Sequence, residues 1–167
     1  MRSLRLRTVS SQIVHQTNCV TSGARGIAKS IFQRHPHADV YGERQKTGRK
    51  GVVGTIDARG GDGDRQGIIA LYGQYGPGKP KASGHDTARA REAGFRNGLK
   101  AIAQLPGLKS VAFPFQIGCG LAGGDWNSYK AALEEFATAV AADGVLVTIY
   151  QLPGAKFDFH SKVYKLK

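Results

Sequence analysis

Two glycine-rich segments, each opening into a helical pattern, carry the clearest chemical signal in the sequence. They are Cys19-Val-Thr-Ser-Gly-Ala-Arg-Gly-Ile-Ala28 and Gln116-Ile-Gly-Cys-Gly-Leu-Ala-Gly-Gly-Asp-Trp126. Each offers main-chain N–H groups and the positive end of a helix to an anion, and glycine lets a phosphate approach the backbone closely. A pair of such loops on neighbouring strands suits a diphosphate, whereas either loop alone is also typical of a tight strand-to-helix turn.

The elements around these segments predict an α/β fold. Short apolar runs bounded by Gly, Pro and Asp indicate strands at about 3–9, 12–18, 51–57, 67–73, 110–116 and 145–152. Periodic apolar patterns indicate helices at about 27–35, 86–104 and 127–142. The order favours a mixed, largely parallel sheet covered on both faces, with ligands at the carboxyl ends of the strands. The segment 59–65 is predicted to form a hairpin or surface loop.

The two loops do not follow the common nucleotide-binding patterns. Neither fits the dinucleotide pattern G-x-G-x-x-G after the first strand, and neither fits the phosphate-loop pattern G-x-x-x-x-G-K-[S/T]. A kinase, or a dehydrogenase of the usual dinucleotide-binding type, is therefore disfavoured.

The charge balance favours anionic partners. Lysine and arginine number 24 against 12 aspartates and glutamates, which gives a net charge of +12. Ten of the basic and two of the acidic residues fall within residues 1–50. A basic surface that serves only solubility is the simpler interpretation.

Length and composition bound the remaining properties. With 167 residues we expect a single monomeric domain over 1–153 and a basic tail over 154–167. No apolar run approaches the roughly 20 residues of a membrane-spanning helix, so no membrane partner is expected. Cys19 and Cys119 are too few for a disulfide framework or a zinc site. No metal and no cofactor are predicted. An intracellular, cytoplasmic or nuclear location fits best, with a mitochondrial presequence over 1–12 as the open alternative to a first strand.

Three segments together resemble a known family. They are I-V-H-Q-T-N-C-V-T-S-G-A-R-G-I-A-K (13–29), L-Y-G-Q-Y-G-P-G-K (71–79) and F-P-F-Q-I-G-C-G-L-A-G-G-D-W (113–126). Over about residues 12–152 the chain looks like the macrodomains that bind ADP-ribose. It looks most like the branch that holds the ADP-ribose-1″-phosphate phosphatases and the terminal ADP-ribose glycohydrolases. The resemblance implies a three-layer α/β/α sandwich, and ADP-ribose or an ADP-ribosylated macromolecule as the ligand.

The resemblance also implies which residues contact that ligand. The loop that wraps the diphosphate and the distal ribose would be Gly23, Ala24, Arg25, Gly26, Ile27 and Ala28, and the second phosphate loop would be Gly118, Cys119, Gly120, Leu121, Ala122, Gly123 and Gly124. Asn18 falls where this branch has an asparagine that faces the distal ribose. His15 matches a histidine of the phosphatase-like members, and Tyr150 lies where the family often places a contact for adenine.

Three positions depart from the family pattern. Arg25 replaces a small residue beside the expected distal ribose, where its guanidinium could pair with a phosphate or turn into solvent. Gln74 stands where the glycohydrolases place a lysine that attacks or positions the ribose, and Ala122 stands where they place an aspartate. Because glutamine forms no Schiff base, these departures argue against a covalent route through lysine and aspartate.

Asn18, His15 and Asp125 are the candidates for catalysis. With a reference pKa of about 6.5, His15 could exchange a proton with water or a leaving group, or it could be hydrogen-bonded inside the sheet. Asp125 could act as a general base or orient a water, or it could cap the following helix. Asn18 would help to hold the attacking water.

Three functions remain open from the sequence. The favoured one is a hydrolase that removes ADP-ribose from a modified macromolecule or dephosphorylates ADP-ribose-1″-phosphate. The alternatives are a reader that binds ADP-ribose without turnover and a basic nucleic-acid-binding domain. Nucleic acid could also be a secondary partner of the basic surface.

Overall fold

The computed structural model describes residues 11–151 and the backbone of residues 164–165. Within that part of the chain the strands are β1 (Ser11–Asn18), β2 (Ile56–Arg59), β3 (Gly67–Gln74), β4 (Ser110–Pro114), β5 (Leu146–Tyr150) and β6 (Tyr164–Lys165). The helices are α1 (Gly26–Arg34), α2 (Val40–Thr47), α3 (Ala88–Ala103) and α4 (Trp126–Ala141), with a short 3-10 turn at Pro36–Ala38.

All six strands join one mixed sheet in the order β2-β3-β1-β4-β5-β6. β1 pairs in parallel with both β3 and β4, and β4 pairs in parallel with β5. The edge strands β2 and β6 are antiparallel to their neighbours. The predicted mixed, largely parallel sheet is therefore confirmed.

Helices cover both faces of this sheet. Because side chains alternate along a strand, β3 sends Ile69 and Leu71 to one face and Ile68 and Ala70 to the other. On the first face, α3 and α4 contribute Phe95, Leu99, Ile102, Leu133, Phe136 and Val140 to the core. On the second face, α1, the 3-10 turn and α2 contribute Ala28, Ile31, Phe32, Ala38, Val40 and Tyr41. The result is the predicted three-layer α/β/α sandwich.

The predicted strand at 51–57 is wrong over most of its length. The chain turns until Thr55, whose N–H donates to the carbonyl of Val52, and β2 begins only at Ile56. Gly51 passes so close to Tyr72 that a Cβ there would lie 2.7 Å from the ring. The Thr55 hydroxyl also donates to the Val52 carbonyl at 2.7 Å, and the two hydrogen bonds hold the segment in a turn.

No apolar pattern in the sequence predicts α2. This helix is short and includes Gly42, so its apolar periodicity is weak. Its ends are nevertheless well marked: Asp39 accepts hydrogen bonds from the N–H groups of Tyr41 and Gly42, and Gly48 ends the helix with a φ of 70°. An aspartate cap and a glycine stop are the signals that could have located it.

Two further predictions concern the segments around this core. The predicted hairpin at 59–65 is confirmed, since it joins the antiparallel strands β2 and β3. The predicted strand at 3–9 lies outside the described residues, as does the basic tail at 154–167 except for β6. Among the helices of the described segments, none is both long enough and apolar enough to cross a membrane.

Candidate functional site

A cleft of about 890 Å³ opens at the carboxyl ends of β1, β3 and β4, where Asn18, Gln74 and Pro114 line it. Because β1 and β4 are parallel neighbours, the segments that follow them leave the sheet at the same edge. We call residues 19–25 the first loop and residues 115–125 the second loop. Residues of both loops line this one cleft, so the two glycine-rich segments do come together.

Asn18 shapes the first loop with its side chain. Its Oδ1 accepts hydrogen bonds from the N–H groups of Val20 (3.0 Å) and Thr21 (2.8 Å). Its Nδ2 donates to the hydroxyls of Thr21 (2.8 Å) and Tyr41 (2.9 Å). Both ends of the Asn18 amide are therefore occupied by the protein in this conformation.

Helix α2 supports the first loop from behind. The Tyr41 hydroxyl also accepts a hydrogen bond from the main-chain N–H of Asn18 at 2.9 Å. The buried Arg44 guanidinium donates to the carbonyl oxygens of Asn18 and Thr21 and stacks over the Tyr41 ring. These contacts hold the carbonyls of the loop toward α2.

The N-terminus of α1 faces the cleft without a side-chain cap. Arg25 occupies the N-cap position in an extended conformation and makes no capping hydrogen bond. The first-turn N–H groups of Gly26, Ile27 and Ala28 have no acceptor within the helix, and all three residues line the cleft. Uncapped amides at the positive end of a helix form a binding site for an anion.

The second loop offers a further set of amides. The loop is closed by hydrogen bonds from Gly123 N–H to the Gly120 carbonyl (3.0 Å) and from Gly124 N–H to the Gly118 carbonyl (2.9 Å). Within the described residues, the N–H groups of Gly120, Leu121 and Ala122 donate to no acceptor. All three residues line the cleft, so their amides are available to an anionic ligand.

Arg91 of α3 ties the second loop to the segment that follows β3. It is 2% exposed and forms an ion pair with Asp86 at 2.6 Å. Its Nη1 donates to the carbonyl oxygens of Gly78 and Ala122. Although burial alone would raise the pKa of Asp86, its hydrogen bonds to Arg91 and to backbone N–H groups hold that pKa below the usual value. Arg91 thus fixes the spacing of two cleft-lining segments.

A pair of glutamines forms the floor between the loops. Gln16 Nε2 donates to Gln74 Oε1 at 2.8 Å, and Gln74 Nε2 donates to the carbonyl of Gly76. Gly118 packs on the same floor, since a Cβ there would lie 2.6 Å from Gln16 Oε1. No local sequence pattern marks Gln16, because its place at the cleft depends on Gln74 and Gly118, which only the fold brings close to it.

The predicted ligand-binding residues divide into two groups. Those that line the cleft are Gly23, Arg25, Gly26, Ile27, Ala28, Gln74, Gly118, Gly120, Leu121 and Ala122. Those outside its lining are Ala24, Cys119, Gly123, Gly124 and Tyr150. Ala24 packs toward the core under α1 and α2, and Cys119 packs toward the core under α3 and α4. Tyr150 is half exposed at the end of β5, where its carbonyl accepts from Phe115 N–H at 2.7 Å.

His15 lies inside the protein and outside the cleft lining. Its ring is 0% exposed and packs edge-to-face on Phe32 at 5.2 Å. Neither ring nitrogen has a hydrogen-bond partner within the described residues, so packing replaces the expected hydrogen bond in the sheet. Burial lowers the pKa of His15 to about 4.

Asp125 caps α4, as one of the two sequence interpretations predicts. Its Oδ2 accepts a hydrogen bond from Ser128 N–H at 2.9 Å, and the residue is exposed outside the cleft lining.

The two cysteine thiols are also unsuited to proton transfer near neutral pH, because burial raises the pKa of Cys19 and of Cys119 to about 11.

Phe115 connects the cleft to the hydrophobic core. It lines the cleft at the end of β4 and packs edge-to-face on Trp126 with ring centroids 5.1 Å apart. Trp126 is the first residue of α4 and packs in turn against the core. The start of α4 is therefore in contact with a cleft wall.

Comparison with known proteins identifies the fold. No protein-family model and no curated protein matches the sequence. The macrodomain of Mycobacterium tuberculosis DarG is similar with a TM-score of 0.62 and 22% identity, over 90% of this chain and 93% of that one. A Bacteroides thetaiotaomicron protein of unknown function gives a TM-score of 0.68 and 22% identity, over 86% of this chain and 88% of that one. A mutant macrodomain of Oceanobacillus iheyensis, solved with ADPR, gives a TM-score of 0.53 and 15% identity, over 89% of this chain and 81% of that one. The chain has the macrodomain fold.

Proposed function

We propose that this domain binds ADP-ribose in the cleft and acts as a reader that holds the ligand without hydrolysing it. The observation that carries binding is the pairing of two sets of amides without protein acceptors, Gly26–Ala28 and Gly120–Ala122, in one cleft. A diphosphate carries charge and acceptor oxygens that such amides neutralise. The Oceanobacillus macrodomain, which shares the fold, was solved with ADPR, and this supports the choice of ligand.

The size and the walls of the cleft suit a nucleotide diphosphate sugar. Its volume of about 890 Å³ falls within the usual range of about 300–1,000 Å³ for small-molecule sites. The diphosphate would lie between the two sets of amides, with the exposed Arg25 free to pair with a phosphate. Tyr150 remains our candidate for the adenine end, because it is bonded through its backbone to the cleft-lining Phe115.

The side chains on the cleft floor favour binding over turnover. Gln16, Asn18 and Gln74 carry amides, which orient hydroxyls or water but do not exchange protons near neutral pH. A proton-transferring side chain close to the ribose is a common source of rate in hydrolysis. His15 is buried behind the sheet surface and Asp125 is engaged as a helix cap, so neither lies beside the proposed ligand.

A glutamate at Gly120 tests the binding site. Gly120 has open space around its Cα, so Gly120→Glu is expected to fold normally. The new carboxylate would face the diphosphate, and we expect calorimetric titration to show ADP-ribose affinity reduced by at least about 100-fold. The control is Ala139→Glu, which adds the same charge on the exposed face of α4 and should keep the wild-type Kd. Equal affinity in Gly120→Glu and the wild type would remove the cleft as the site.

Product release separates the reader from the hydrolase. The protein would be incubated with a mono-ADP-ribosylated protein, with ADP-ribosylated DNA and with ADP-ribose-1″-phosphate. We expect binding but no release of ADP-ribose or phosphate. Release from any of the three would establish the hydrolase instead, and His15→Ala and Asp125→Ala would then show whether either side chain supports turnover.

A further inference from the structure

A second cavity, of about 390 Å³, lies between α2, the segment 49–52 and β2. We call it the α2 pocket. It shares no lining residue with the ADP-ribose cleft described above. The buried ring of Tyr72 forms part of its wall, and Val52, which is 65% exposed, lies among its lining residues.

The charges that line the α2 pocket are unbalanced. Four cations line it, namely Arg44, Arg49, Lys50 and Arg59, together with two carboxylates, Glu43 and Asp57. Both carboxylates form ion pairs with the same arginine, Arg59, with an N–O distance of 2.8 Å to Asp57. The other three cations have no carboxylate partner within the described residues.

Arg44 supplies a buried positive charge. It is 6% exposed, and its guanidinium donates to the carbonyl oxygens of Asn18 and Thr21 and lies over the rings of Tyr41 and Tyr72, none of which carries a negative charge. Its Nε is buried and has no acceptor within the described residues. A buried cation that lacks a counter-ion is costly, and it makes the adjoining pocket favourable for an anion.

Arg49 and Lys50 place two exposed cations at the same pocket. Both follow the end of α2, are exposed, and form no side-chain hydrogen bond or ion pair within the described residues. Together with Arg44 they can surround an anion from more than one side. Guanidinium groups bind phosphate oxygens in pairs, and an ammonium group adds a point charge.

We propose that the α2 pocket binds a phosphate group, independently of ADP-ribose in the cleft. The phosphate would come either from the backbone of a nucleic acid or from a free phosphorylated metabolite. Arg44 and Lys46 on α2, followed by Arg49 and Lys50, form a local run of positive charge that would draw a polyanion toward this pocket.

The test is a ¹⁵N NMR titration of the full chain with inorganic phosphate. In the wild type, phosphate should shift the Arg44 Nε–H signal and the amides of residues 49–52. In the double variant Arg49→Gln/Lys50→Gln we expect phosphate affinity to fall at least about 5-fold, with ADP-ribose affinity unchanged. The control Lys100→Gln/Lys109→Gln removes the same charge from two exposed lysines outside the pocket and should keep the wild-type affinity for phosphate.

A second titration, with single-stranded decathymidylate, identifies the source of the phosphate. If the source is a nucleic acid, the oligonucleotide should bind more tightly than inorganic phosphate and shift the same signals. Its binding should weaken steeply with salt, and the Arg49→Gln/Lys50→Gln variant should lower the salt slope by about 2. If the oligonucleotide binds no better than inorganic phosphate but at the same place, a free phosphorylated metabolite is the source.

Three results would overturn the α2 pocket as a phosphate site. Phosphate shifts confined to residues 120–122 would assign the anion to the cleft. If Lys100→Gln/Lys109→Gln lost as much phosphate affinity as Arg49→Gln/Lys50→Gln, the attraction would be unspecific and would belong to the basic surface as a whole. Wild-type affinity in Arg49→Gln/Lys50→Gln would exclude these two cations. None of these results would contradict ADP-ribose binding, which the Gly120→Glu titration tests separately.

Discussion

Asn18 and His15 lie three residues apart on β1, yet their surroundings differ completely. Asn18 reaches the cleft and uses its amide to shape the first loop. His15 is sealed under α1 against Phe32. The sequence places both on a strand that leads into a glycine-rich loop, but it cannot show that a helix closes over one of them. Burial, which depends on distant residues, decides their roles.

The buried His15 makes stability depend on pH. Its pKa is about 4 in the folded protein, below the reference value of 6.5, because burial disfavours the charged ring. The unfolded chain therefore takes up a proton first, and the free energy of unfolding falls as the pH drops from about 6.5 to about 4. The contribution lost is on the order of 3 kcal/mol. Urea denaturation at several pH values in this range measures it.

The variant His15→Leu isolates this contribution. Leucine fills a similar volume in an apolar site and does not titrate, so the variant should lose less stability than the wild type between pH 6.5 and 4. Other groups titrate equally in both proteins and cancel in the difference. Parallel stability curves for the two proteins would contradict the assignment to His15.

At the scale of elements, α2 acts as a support for the first loop. The Tyr41 hydroxyl accepts from both the main-chain and the side-chain N–H of Asn18. Arg44, one turn further along, holds the carbonyls of Asn18 and Thr21. An eight-residue helix therefore carries much of the hydrogen bonding that fixes this side of the cleft.

Removing one hydroxyl from α2 tests that role. Tyr41→Phe leaves two buried donors of Asn18 without this acceptor, so we expect a loss of about 1–3 kcal/mol in the free energy of unfolding. ADP-ribose binding should weaken as well, because the first loop loses an anchor. The control is Tyr75→Phe, since the Tyr75 hydroxyl forms no hydrogen bond within the described residues. Equal effects of the two substitutions, by denaturation and by calorimetric titration, would show that Tyr41 acts only through its ring.

At the scale of the whole molecule, the sequence predicts the layers and the location of the cleft. Strand and helix patterns are local, and glycine-rich segments after strands mark the loops directly. The contacts that position those loops are not local: Arg91 bonds to Ala122, 31 positions away, and Gln16 bonds to Gln74, 58 positions away. No spacing rule connects such pairs before the fold is known. The same limit explains why the α2 pocket, built from α2, a turn and β2, has no sequence signature.

The contact between Phe115 and Trp126 gives the protein an intrinsic optical probe. The chain has one tryptophan, and its indole rests on a phenylalanine that forms part of the cleft wall. If the proposed ligand shifts Phe115, the surroundings of the indole change with it, and fluorescence excited at the tryptophan band would then follow occupancy in real time. Rates of ligand entry and escape can thus be measured on the unlabelled chain.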